Sequence, residues 1–296
     1  MASRGRTALA ALGLTVGIVA LFLVTVWVLM TVLEDGALPG GPKVAVVEVQ
    51  GVIVDADTIV RELREHADNP AVRAVVLRVN SPGGVVAPTQ EIFSAVQRVR
   101  QSGKPVVASL GSVAASGGYY VAVAADRIYA NPGTLTGSIG VVMQMANIEG
   151  LLKKVGVEYV VVKAGALKDV GNFSRSMTAE ERRVLQALLD DVYSQFVGAV
   201  VEGRKLDERT VKGLADGRLY SGQQARALQM VDELGGFEEA ILAAARLGGV
   251  PGRPKLILPR RRFSLMDLLR NELGLSGASR LLPAWPALKT PLYLMD

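Results

Sequence analysis

Two hydrophobic patterns alternate along most of the chain. Lys43–Val49 (KVAVVEV), Ala74–Val79 (AVVLRV), Pro105–Leu110 (PVVASL), Asp126–Ala130 and Val157–Val162 are short, nearly continuous apolar runs. Runs of that length without polar alternation predict strands buried on both faces. Between them, Ala56–Ala67, Pro88–Arg100, Ser116–Ala125 and Asn147–Val155 carry helical patterns. A long helix is predicted over Thr178–Val201, where Thr178-x-x-Glu181 fits a capping box. Ser221–Met230 and Phe237–Leu247 read as further helices. This alternation predicts an α/β domain with mostly parallel strands. No internal repeat of about 20–50 residues is present.

The N-terminus follows a different pattern. Ala8 to Leu33 is a run of 26 uncharged residues, long enough as a helix to cross a hydrocarbon core of about 30 Å. Arg4 and Arg6 precede it, and Glu34 and Asp35 follow it. The positive-inside rule then puts the N-terminus in the cytoplasm and the body outside, as a single-pass protein of the cytoplasmic membrane. A cleaved signal peptide is the alternative, but its apolar region is normally about 7–15 residues and EDGALPG offers no clear A-x-A site. The expected organisation is a short cytoplasmic N-terminus and anchor over 1–35, a Gly/Pro linker over 36–42, a main domain over 43–250 and a tail over 251–296. The tail is basic at RPKLILPRRRF, amphipathic at Leu265, Leu268, Leu269 and Leu273, then apolar and Pro-rich. A surface helix with a loose end is the preferred reading. A tail lying on the membrane or docking on a neighbouring subunit is the sharper alternative.

Composition narrows the chemistry. Half of the 296 residues are hydrophobic, so a substantial core is expected. The net charge of +5 is mild and scattered, so nucleic acid is not an expected partner. The absence of Cys removes thiolate nucleophiles and Cys-based metal sites, and a single His cannot build a two-His metal motif. That residue, His66, ends the polar helix RELREHADNP and is expected on a solvated face.

Three Gly-rich turns follow apolar runs. In Asn80-Ser81-Pro82-Gly83-Gly84, Pro82-Gly83 suits a type II turn, and the Gly pair lets backbone N–H groups face a bound oxyanion. An ordinary strand-to-helix turn has the same sequence. In Ala114-Ala115-Ser116-Gly117-Gly118-Tyr119-Tyr120, Ser116 falls where a strand turns into an apolar helix. That exposes a hydroxyl much as a nucleophile elbow does, with the Gly117 amide beside it. A plain N-cap serine is the competing reading. Gly133–Gly140 (GTLTGSIG) reads as a tightly packed loop. A serine nucleophile needs a base, and with His66 discounted a Lys of lowered pKa remains. Lys163 and Lys168, in VVKAGALKDVGNFS, both qualify, and position alone does not choose between them.

The assembled motifs resemble the signal peptide peptidase A family of membrane-bound serine proteases. The resemblance runs from Lys43 to Leu247. It rests on NSPGG, AASGGYY, the A-D-x-I-x-A-x-P-x-x-x-x-G-S-I-G stretch from Ala125 to Gly140, KDVG, and GRLYSGQQA followed by VDELGG. It implies a fold similar to Clp protease and crotonase in a short, single-copy form. It places the nucleophile on Ser116, the general base on Lys168, and the oxyanion-hole amides on Gly83 and Gly117. It also implies remnant signal peptides as substrates, no metal or organic cofactor, and a homo-oligomeric ring in which neighbours complete each site. A crotonase-like acyl-transfer enzyme and an inactive membrane scaffold are the alternatives from other classes. The tail aligns with nothing in the family pattern.

Overall fold

The computed structural model describes residues 14–27, 41–259 and 292–294. The linker residues 36–40, both ends of the expected anchor and the amphipathic stretch 264–275 lie outside the described residues. The chain divides into two compact units, Met1–Pro42 and Lys43–Asp296. In the first, α1 (Leu14–Trp27) is an apolar helix whose side chains are exposed.

The second unit is a mostly parallel sheet between helices. Its first half contains β1 (Lys43–Gln50), α2 (Asp57–Asp68), β2 (Val72–Ser81), β3 (Gly83–Val85), α3 (Val86–Gln101), β4 (Val106–Ala115), α4 (Gly117–Ala122), β5 (Arg127–Ala130) and β6 (Leu135–Gly137). The second half contains α5 (Glu149–Val155), α6 (Ala179–Arg204), α7 (Glu208–Leu214), β7 (Leu219–Ser221), α8 (Gly222–Ala227), β8 (Glu233–Leu234), α9 (Phe237–Leu247) and β9 (Lys255–Ile257). The sheet runs in the order β7-β6-β4-β2-β1-β9, and β5 pairs with both β4 and β8. Every pair in it is parallel except β6 with β7. The pair of β3 with β10 (Leu292–Leu294) is a separate antiparallel ribbon.

The continuous apolar runs are explained by the two layers. Ala45, Val47, Leu77, Ala108 and Leu110 pack beneath α2, α3 and α4. The alternate residues Val44, Val46, Ala74, Val76 and Val107 pack beneath α9 through Ala240, Ile241 and Ala244. Both faces are dry, so β1, β2 and β4 need no polar alternation. The capping box at Thr178 forms as its spacing predicts. Although α6 reaches a mean hydropathy of 1.2 over an 18-residue stretch, its Phe196, Val197 and Val200 are buried in the core of this unit.

Three expectations are corrected. Val157–Val162 forms no strand and is exposed throughout, with Val162 at 95%. A β-branched run becomes a strand only beside an available edge, and none of the described strands pairs with it. His66 is buried at 8%, on the same side of α2 as Leu63 and close to Glu62. Lys104 stops that helix, donating to His66 O, Ala67 O and Asn69 O at 2.8, 2.6 and 2.7 Å, and so compensates its last carbonyls. The helix expected over Ser116–Ala125 is only α4, because Val123–Ala125 continue as turns.

Candidate active site

The carboxyl ends of β2 and β4 bring two of the Gly-rich turns together. After β2, Gly83 takes φ +108°, a conformation that suits glycine. The short β3 is then bonded to Ile53, with Ile53 N to Gly83 O at 2.8 Å and Val85 N to Ile53 O at 2.7 Å. Those bonds use one edge of β3, and β10 runs along the strand in register with Gly84 at Tyr293. A Cβ on Gly84 would collide with Ile53 O at 2.0 Å, so the strand approaches as closely as it does only with glycine there.

The other turn begins at Ser116, whose φ of 52° and ψ of −119° lie outside the ordinary regions. Its backbone is fully paired, with Ser116 N to Gly137 O at 2.7 Å and Tyr120 N to Ser116 O at 2.8 Å. The side chain is different. Ser116 is 0% exposed and its Oγ has no hydrogen-bond partner among the described residues. It does not cap α4, so the N-cap reading fails. A strained, buried and unsatisfied hydroxyl is costly, and such features concentrate at functional sites.

Gly117, the residue after Ser116, packs against Gly83 and Gly84. A Cβ on Gly117 would lie 3.0 Å from Thr89 Oγ1, 3.1 Å from Gly83 Cα and 3.2 Å from Gly84 N. One on Gly118 would lie 2.6 Å from Ser81 O. The Gly83 amide is not open in this arrangement, since it donates to the fully buried Ser81 Oγ at 3.1 Å. Ser81 and Thr89 were not legible as site residues, because nothing in NSPGG or VAPTQ marks a hydroxyl that will end beside a distant turn.

The two lysines lie elsewhere. The Lys168 side chain is exposed, makes no hydrogen bond or ion pair among the described residues and does not reach Ser116 Oγ. Lys163 is committed, pairing with Asp169 and donating to Ala166 O at 2.7 Å. Asp169 also accepts from Arg175 Nε at 3.1 Å, and Arg175 binds Glu181 through its two terminal nitrogens, Nη1 and Nη2. Lys163 first, and then Arg175, hold the Asp169 carboxyl far below the ordinary carboxylate range. Arg175, followed by the Thr178 amide, lowers that of Glu181 to about 2.

A cavity of about 470 Å³ opens beside β6, lined by Ser138, Ile139, Gly140, Tyr193, Asp216 and Gly217, and does not include Ser116. Next to it Ser138 is 7% exposed with φ 49°, and the loop from Gly133 is packed as expected through Thr134 Oγ1 to Gly111 O and Thr136 Oγ1 to Ala114 O, both at 2.7 Å. Among the described residues, no three acidic or His side chains gather as a metal-binding group.

A mostly parallel α/β sheet covered by helices on both faces fits a Clp protease-like fold, and residues 98–251 match peptidase family S49. Similar proteins include a provisionally named protease of Synechocystis sp., 44% identical over 209 residues, covering 70% of this chain and 75% of that one. A provisionally named signal peptide peptidase SppA of Enterococcus faecium is 36% identical over 222 residues, covering 71% and 64%. Protease 4 of Salmonella typhi is 35% identical over 216 residues, covering 70% of this chain but only 35% of its own length. The chain belongs to the S49 peptidases, the signal peptide peptidase A family.

Proposed function

We propose that this peptidase is a membrane-anchored serine endopeptidase with Ser116 as nucleophile and Lys168 as general base, and that it degrades signal peptides left in the membrane. The observation that carries this reading is the orphaned, buried Ser116 Oγ at the head of α4, where the next residue, Gly117, packs against the Gly83–Gly84 turn. A hydroxyl kept dry and unpaired is available to a base and a carbonyl carbon without first breaking a bond. In the first step the Lys168 amine takes the Ser116 proton while Oγ attacks the peptide carbonyl. The developing oxyanion is received by the Gly117 amide and by the Gly83 amide, where it displaces the Ser81 hydroxyl. The C–N bond then breaks, and Lys168 returns the proton to the leaving amine. Water, deprotonated by Lys168, hydrolyses the ester, and the proton returns to Ser116.

The exposure of Lys168 favours a site completed by a second copy of the chain. The segment before it presents Val157, Tyr159, Val160, Val162 and Leu167 to solvent, an apolar stretch that a neighbouring subunit in a ring would cover. The exposed apolar helix α1 supports the anchor, and Arg4 and Arg6 before the apolar run support an orientation with the N-terminus cytoplasmic and the peptidase outside.

The test is labelling with a fluorophosphonate followed by peptide hydrolysis. Wild type should be labelled on Ser116, and Ser116→Ala should neither be labelled nor cleave peptide. Mixed assemblies of Ser116→Ala with Lys168→Ala should regain part of the activity, because one site then receives both groups. Equal labelling of Ser116→Ala would overturn the nucleophile. Absence of recovery in verified mixed assemblies would return the pair to a single chain.

A further inference from the structure

Lys168 belongs to a stretch with no helix or strand between Gly156 and Thr178. Most of it is exposed, and no apolar contact buries the lysine itself. A general base must nevertheless point in one direction to within a fraction of an ångström. The restraint available is a chain of ion pairs. Lys163 Nζ binds one oxygen of Asp169. The other oxygen meets Arg175 Nη2 at 2.9 Å and Nε at 3.1 Å. Arg175 then spans both oxygens of Glu181, with Nη1 to Oε2 at 2.9 Å. Glu181 ends the chain on rigid structure, accepting the Thr178 N–H at 2.8 Å at the start of α6.

Side-chain exposure is 34% at Lys163 and 32% at Arg175, but only 13% and 4% at the two carboxylates they hold, Asp169 and Glu181. An isolated exposed pair contributes little, but a planar guanidinium gripping two carboxylates fixes direction as well as distance. The residue next to Lys168 is thus tied to the N-terminus of a 26-residue helix. The Asp169 carboxylate is also spent on Lys163 and Arg175, so it is not turned toward Lys168.

We infer that Arg175, seated on Glu181, is a positioning residue that aims Lys168 through Asp169, and that Lys163 is part of this clamp rather than a second base. The inference rests on the assignment of Lys168 as the base. It predicts that breaking the clamp slows proton transfer and leaves peptide binding intact.

The experiment measures kcat and KM of the full chain on an activated ester, slow acylation being followed by mass spectrometry over hours. Arg175→Ala should lower kcat by roughly 100-fold, the cost of a misplacement near 1 Å, with KM within about threefold. Arg175→Lys should recover only a small part, because a point charge cannot span both carboxylates. Combined with Lys168→Ala, Arg175→Ala should cause no further loss, since it acts only through the lysine. Asp169→Asn keeps the side chain's shape and should show the same non-additivity, which guards against an Arg175→Ala chain that fails to fold. Near-normal kcat for both variants, or an equal loss in the Lys168→Ala background, would overturn the clamp while leaving the base in place. Near-normal hydrolysis by Lys168→Ala would remove the base itself and the inference with it.

Discussion

Replacing Ser116 with alanine in a chain that already carries Lys168→Ala should make the fold more stable. The Lys168→Ala background matters because a lysine from a neighbouring copy would otherwise partner the hydroxyl in the assembled state. Ser116 is completely buried and its Oγ is unpaired, so the folded state bears the desolvation of that group without compensation. An unsatisfied buried hydroxyl costs about 1–3 kcal/mol. Alanine removes the oxygen and leaves a cavity smaller than a methyl group, which returns little of that gain. The unfolding midpoint should rise by about 2–4 °C for each kcal/mol in a unit of this size. Ser116→Gly adds relief of the unusual φ and ψ, about 1–3 kcal/mol, against about 0.5–1 kcal/mol of extra chain entropy. It should therefore stabilise at least as much as alanine. Thermal and denaturant unfolding, at one protein concentration and in the same detergent, measure both changes. A lowered midpoint for both variants would show that the hydroxyl makes a stabilising bond and that the site is not held in a costly resting state.

Gly117→Ala places a methyl 3.0 Å from Thr89 Oγ1 and 3.1 Å from Gly83 Cα; the turns must part by a few tenths of an ångström, and acylation of Ser116 should slow by roughly 100-fold or more, as when one oxyanion donor is lost. A loss below threefold would separate Gly117 from the oxyanion. Glu181 gives a pH dependence, since its folded value of about 2 lies below the ordinary 4.5. Its carboxylate therefore stabilises the fold above pH 4.5, and that contribution is lost as pH falls toward 2. Glu181→Gln should flatten the acid-unfolding profile across that window, and an unchanged profile would contradict the Arg175 pairing.

The sequence alone was sufficient wherever the determining forces were local. Continuous apolar runs located β1, β2, β4 and β5 because both of their faces are covered, and the Thr178 box marked the start of α6 because its partners lie within one turn. Glycine-rich runs marked the turns that carry Gly83, Ser116 and Gly117, but the strained Ser116 backbone is held by its bond to Gly137 O, which only the tertiary fold supplies. Tertiary structure decided what local pattern leaves open. It left the apolar run at Val157–Val162 without a strand partner, and it buried His66 in a helix whose sequence looks solvated. The short strands β6, β7 and β9 were invisible for the same reason, as three residues carry no periodicity and exist only beside their neighbours. The Ser81 hydroxyl on the Gly83 amide depended on a turn closing, and the Arg175 clamp on a loop meeting a helix end. A residue's hydrophobicity and backbone preference are encoded where it stands in the chain. Which surface, hydroxyl or charge it finally meets is decided by segments far away in sequence, and at Ser116 that decision was to leave the hydroxyl buried with no hydrogen-bond partner among the described residues.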